Sequence, residues 1–273
     1  MKKRPTNALE HLHPFPDGAG VELLYKFTSL NPAHPEYLEQ LLAGGLLYHS
    51  LPSELNDPWE CAPRVRLDKP KRLRDHLYKT LRRKGATKKE AQRQAANSVA
   101  SRRQLQKIAQ DAVERTYRNV RVCSFATSKE HTLLWAHYAN AHSGICLEFD
   151  ASILPFSMAY RVQYQDQYPL LTYPNPQNAR TLIPLLTKSS VWRYEGEFRS
   201  IYDPEFRTLH EFRGPSAVLS KAHLKSIYFG ANLNAETVKK LLSWVDAGPF
   251  SPTLYRARPS MYEYGLEFKQ MGG

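Results

Sequence analysis

Between Arg64 and Arg121 the chain places nineteen lysines and arginines against five acidic residues, a local excess of +14 in a protein whose total is +12. So dense a run of one sign cannot be buried, because each unpaired ionised group taken out of water costs several kcal/mol. It has to fold as solvated structure with a narrow apolar seam. Leu73, Leu77 and Leu81 recur every four residues and supply such a seam on a helix. Gly85-Ala86-Thr87 breaks the pattern, with Thr87 as N-cap and Glu90 three residues on as its capping-box partner. A second helix then runs through Ala91, Ala95 and Val99 and on to Leu105, Ile108, Ala112 and Val113. The expectation is a basic helical hairpin, inserted at about 69–118 between strands. The rest of the chain sums to about −2, so the basicity belongs to this segment and not to the protein at large.

The flanks carry a different rhythm. VELLYKFTSL (21–30) predicts a buried strand running into a turn at Asn31-Pro32, and Pro35 opens a short helix on Leu38, Leu41 and Leu42 that Gly44-Gly45 ends. LLYHS predicts the next strand, and LPSELNDPWE (51–60) a loop. RVCSFATS (121–128), ICLEFD, MAYRVQYQ (158–165), HLKSIYFG, LYRAR and MYEYGLEFK predict further strands. Helices are expected in EHTLLWAHYANAHSG, around LIPLLTKSS, and in NAETVKKLLSWV with Asn234 as N-cap. The sum is an α+β fold: a mostly antiparallel sheet, short helices and the inserted basic hairpin. A flexible, polar, Pro-rich lead-in over 1–20 is expected to precede one domain over 21–273, and it lacks the apolar stretch of an export signal. No run of 18 apolar residues points to a membrane span. Cys61, Cys123 and Cys146 are an odd number without CxxC spacing, which argues for a reducing cytoplasm.

WRYEGEFRS (192–200) holds the sharpest signal. Read with period two, it sets Glu195 and Glu197 on one face of a strand, flanked by Arg193 and Arg199. A solvated face with cross-strand charge pairs explains that pattern. So does a pair of carboxylates acting on a sugar, and so does a metal clamp shared with Asp57. His131, His137 and His142 do not fall at an i, i+4 spacing, so no metal is expected there. In the basic hairpin, Arg82, Arg83, Lys84, Lys88 and Lys89 form a surface for a phosphate backbone or a plain solvated face.

LYKFTSL, LLAGGLLYHSLPSELNDPWE, CSFATSKEHTLLWAHYANAHSGICLEFD, KSSVWRYEGEFRSIY and LKSIYFG together resemble the bacterial domain-of-unknown-function family numbered 2971. That kinship implies no reaction. The opening strand LYKF, a short helix and a GGLL strand are also similar to the start of ADP-ribosyltransferase folds. This second resemblance implies NAD as cofactor. It implies Lys26 or Tyr25 as the first contact, Tyr138 or His137 as the middle element, and the Glu195-Glu197 pair as the third. In that scheme Glu197 stabilises the charged sugar, Glu195 positions the acceptor and Tyr138 stacks on nicotinamide. His137 and Lys26 hold ribose or phosphate, Arg199 orients the carboxylates, and Phe27, Asn56, Asp57 and Trp135 complete the nucleotide pocket. The chain departs from the family in having Lys26 where His or Arg is usual, and in lacking a Ser-Thr-Ser strand before the middle block. The alternative is a non-catalytic nucleic-acid-binding or defence-associated interaction protein that works through the basic insertion.

Overall fold

In a computed structural model, residues 13–30, 34–174, 182–206 and 208–272 are described. The main sheet runs in the order β1 (Leu23–Thr28), β5 (Ile145–Asp150), β13 (Leu224–Phe229), β14 (Thr253–Pro259) and β15 (Leu266–Gln270). Only the β13–β14 pair is parallel. Its central strands read as nearly unbroken apolar runs because both faces are covered. Leu24, Leu147, Phe149, Ile227 and Phe229 turn to one side and pack with helix α1 (Glu36–Gly44) and helix α6 (Ala235–Ala247). Tyr25, Phe27, Cys146 and Tyr228 alternate onto the other, under helix α5 (Thr132–Tyr138). The expected caps hold: Asn234 Oδ1 accepts from the Thr237 amide at 2.7 Å, and Gly45 ends α1 in the left-handed region.

A second sheet, β4 (Arg121–Phe125), β10 (Phe198–Tyr202) and β6 (Tyr160–Arg161), joins the first through one backbone pair. Tyr25 and Ala126 exchange N–H···O bonds of 2.9 and 2.7 Å. Around that pair β1 and β4 border a cleft. A third sheet is built from β11 (Phe212–Arg213), β12 (Ser216–Val218) and β2 (Leu46–Tyr48). Two short parallel pairs complete the set: β3 (Arg64–Leu67) with β8 (Leu170–Tyr173), and β7 (Gln163–Gln165) with β9 (Thr187–Ser189). The α+β class and the mostly antiparallel pairing read from the sequence are both present. Among the described residues no helix is long and apolar enough to cross a membrane.

Four local expectations need correction. The basic insertion is three helices, not a hairpin: α2 (Pro70–Arg83), α3 (Lys88–Ala100) and α4 (Arg102–Tyr117). Ser101, at φ −83° and ψ 56°, leaves helical geometry and lets α4 turn back along β3. There Val65 and Leu67 pack with Leu73, Leu105 and Ala109, while Gln106 and Gln110 side chains bond the free backbone edge of β3 at Val65. The capping box at Thr87 and Glu90 forms as expected. Second, MAYRVQYQ is not one strand. The chain changes partner at Val162, with Arg161 pairing β10 and Gln163 bonding Leu186 ahead of β9. Third, LIPLLTKSS gives one 3-10 turn at Ile183–Leu185 and then strand β9, because β7 captures Thr187–Ser189. Fourth, the lead-in is anchored from His13 on, whose Nδ1 donates to the Arg161 carbonyl at 2.9 Å. The start of that lead-in and the turn at Asn31-Pro32 lie outside the described residues.

His49 ties the third sheet to the second. A carbonyl only accepts, so Nδ1–H donates to Leu47 O at 3.1 Å, which leaves Nε2 to accept from Ser200 Oγ at 3.0 Å. Burial holds this imidazole neutral and lowers its pKa from 6.5 to about 3. A depressed folded-state pKa contributes stability that is present above pH 6.5 and is lost as pH falls toward 3. Urea unfolding at descending pH is expected to show that loss, of the order of a few kcal/mol, and to show less of it in His49→Gln. An identical acid slope in the variant would remove His49 as the cause.

Candidate functional site

The cleft bordered by β1 and β4 has a volume of about 310 Å³. β1 contributes Tyr25, Lys26 and Phe27, and α5 contributes His137 and Tyr138. Asn56 and Glu60 come from the 51–63 loop, and Ser124 from β4. Lys188, Glu195 and Glu197 close the remaining wall. Eight of the residues singled out in the sequence therefore meet in one place: Tyr25, Lys26, Phe27, Asn56, His137, Tyr138, Glu195 and Glu197.

The glutamates do not meet by strand alternation. Ser190–Glu195 is a 3-10 helix, and β10 begins only at Phe198. Gly196 lies between them at φ 55°, in the left-handed region. A Cβ there would also stand 2.5 Å from Thr127 Oγ1, so only glycine fits. The turn swings both carboxylates inward, and neither is on a wet face: Glu195 is 5 % exposed and Glu197 2 %.

What they meet is Lys188, which β9 delivers from the opposite side. Its Nζ lies 2.5 Å from Glu195 Oε2, 3.1 Å from Glu197 Oε2 and 3.4 Å from Glu60 Oε1. Arg199 backs the cluster from β10. Its Nε donates to Glu197 Oε1 at 2.6 Å, and Nη2 to Glu197 Oε2 at 3.0 Å and to Glu60 Oε1. The Tyr138 hydroxyl donates to Glu195 Oε1 at 2.7 Å, and the Glu197 amide donates to the Tyr164 hydroxyl at 2.8 Å. Ser124, cross-strand from Arg199, also bonds the Glu197 side chain. Three carboxylates and two cations give this buried hub a formal charge of −1.

Burial and charge pull these groups in opposite directions. Burial raises the Glu197 carboxyl above its ordinary 4.5, with the Lys188 ammonium pulling it back. Burial by itself would lower Lys188, but the carboxylates of Glu197 and Glu195 outweigh it and hold the ammonium above the usual lysine value. Lys188 therefore stays charged among the three carboxylates. Asp57 does not join the cluster. Its Oδ2 accepts from Trp192 Nε1 at 3.1 Å and its Oδ1 from the Trp59 amide at 2.9 Å. Among the described residues no three His, Cys, Asp or Glu groups are arranged to hold a metal ion.

Three expected contact residues lie away from the cleft surface. Trp135 is fully buried, edge-on to Phe27 at 5.3 Å, with its indole N–H on the Lys129 carbonyl. It holds α5 against β1. Arg199 is fully buried as well and orients carboxylates from behind. Asp57 faces the neighbouring hollow. Sequence reasoning missed Lys188, Glu60, Ser124 and Tyr164. Glu60 stood in the NDPWE motif already singled out, and Lys188 just ahead of the glutamate segment. Neither spacing announces that they converge. Comparison with protein families, with curated proteins and with solved structures finds no match for this chain.

Proposed function

We propose that this cleft binds NAD and that the protein is an ADP-ribosyltransferase-like transferase. The charge of the hub carries the reading. Glu60, Glu195 and Glu197 against Lys188 and Arg199 leave −1 in a dry wall of the cleft. Fixed negative charge without water favours a transition state that becomes positive and opposes one that becomes negative. Breaking a sugar's glycosidic bond develops positive charge on the ring, whereas acyl and phosphoryl transfer load negative charge onto oxygen. Lys26, from β1, offers the cation that a pyrophosphate needs, and Phe27, His137 and Tyr138 offer rings for nicotinamide. Glu197, clamped by Arg199, stabilises the charged ribose. Glu195 takes the acceptor side, its orientation set by Tyr138. A volume of about 310 Å³ is at the small end for ligand sites and suits the nicotinamide-riboside half of the molecule. Protein incubated with NAD is expected to release free nicotinamide, read by chromatography. Release no faster than with heat-inactivated protein would count against the reading.

The basic insertion supports a second, non-catalytic reading as a nucleic-acid-binding or defence-associated interaction protein. Arg82, Arg83, Lys84, Lys88 and Lys89 all stand exposed about the turn from α2 to α3. Such a cluster neutralises phosphates without reading bases.

A further inference from the structure

We infer that a single-stranded nucleic acid docks behind the hub, with one unstacked base in a second hollow and its phosphates over Arg64 and Arg66. This hollow, of about 400 Å³, shares Glu60 and Lys188 with the first cleft, so the two cavities meet across the same ionic cluster. The inference does not depend on what the first cleft binds.

Three aromatic rings stand among a mostly polar lining. Trp59, Tyr168 and Trp192 line the hollow, and Trp59 is 57 % exposed, which leaves a large ring open to stacking. Alternation along β3 supplies the cations. Val65 and Leu67 enter the core of the insertion, so Arg64 and Arg66 project together from the opposite face. The Arg64 guanidinium rests 4.4 Å from the Trp59 ring centre and 5.0 Å from that of Tyr168. Arginine joined to aromatic rings in this way is a platform for unpaired bases, since every base has a π face.

The same chemistry decides between partners. A cationic side chain would be repelled by the Arg64 guanidinium that already lies beside the Trp59 and Tyr168 rings. An acidic peptide would meet Asp57 and Asp166 in the hollow. A base presents neutral rings to the aromatic side chains and amino groups that those carboxylates can accept. A duplex keeps its bases stacked and cannot enter.

Fluorescence anisotropy with short labelled single strands of mixed sequence tests this, beside a duplex of the same sequence and base-free polyphosphate. The wild-type chain is expected to favour the single strand over both. Trp59→Ala should weaken binding about 5- to 100-fold with its salt dependence unchanged. Replacing Arg64 and Arg66 by alanine should lower the log–log salt slope by about 1.4. All three side chains are exposed, so circular dichroism should stay as in the wild type. Equal affinity for single strand, duplex and polyphosphate would overturn the inference, as would a silent Trp59→Ala. So would tighter binding of an acidic peptide, or absence of single-strand binding at low salt.

Discussion

Glu197→Gln is expected to lower nicotinamide release from NAD by at least about 100-fold, the scale on which one preorganised electrostatic contact in an active site acts. Glutamine keeps the shape, and its one carbonyl oxygen can still accept from Lys188 and Arg199 Nη2 while its amide nitrogen turns toward Arg199 Nε, but the formal charge of the hub goes from −1 to neutral and no longer favours a positive ribose. The loss should fall on kcat more than on KM, because the charge it answers exists only in the transition state. The fold should tolerate the change. Burial already raises the Glu197 carboxyl, so its ionised form lowers stability as pH rises from 4.5 through the folded-state value, and glutamine removes that penalty. The same shift sets a pH profile. The ionised form does the work, so the wild-type rate should fall on acidification with an apparent pKa above 4.5. Full turnover in Glu197→Gln would end this assignment, whatever the chain binds.

Lys188→Met is expected to be the most destabilising single change in the hub. The methionine fills similar volume, but Glu60, Glu195 and Glu197 are left with Arg199 alone, and the buried charge goes from −1 to −2. Breaking a buried pair by deleting one partner costs about 3–5 kcal/mol, because the abandoned carboxylates stay desolvated. The lysine's raised pKa gives the sign. Its contribution is fully present below 10.5 and is lost only on strong alkalinisation, so the deficit of the variant should persist through neutral pH. Thermal unfolding reads it as a fall in Tm of roughly 10 °C. Adding Glu195→Gln to Lys188→Met should restore part of the loss, since one carboxylate then needs no counter-charge. A Lys188→Met protein as stable as the wild type would show that water or rearrangement compensates the carboxylates.

How much of this was legible in the chain differs by element. The two-sided burial of ICLEFD and HLKSIYFG shows as apolar runs, and the caps at Thr87, Asn234 and Gly45 show as local chemistry, because each depends on residues a few positions apart. The pairing of Glu195 with Glu197 was legible for the wrong reason. Two-residue spacing suggested a strand face, while the structure brings them together through a 3-10 turn and a left-handed Gly196. Lys188 and Glu60 were illegible. They reach the site only because β9 pairs with β7 and because a loop more than a hundred residues earlier folds back onto β10. The break at Ser101 left no mark either, since serine inside a helix is ordinary. It is the packing of α4 on β3 that turns the chain there.

Calorimetric titration of the intact protein with NAD, with ATP as comparison, asks whether the cleft takes this nucleotide. Saturable heat is expected with NAD in the micromolar to millimolar range, and weaker or no heat with ATP, which carries no nicotinamide ribose for the hub to meet. Absence of heat with NAD, from protein shown to be folded by its thermal transition, would contradict the proposed NAD site.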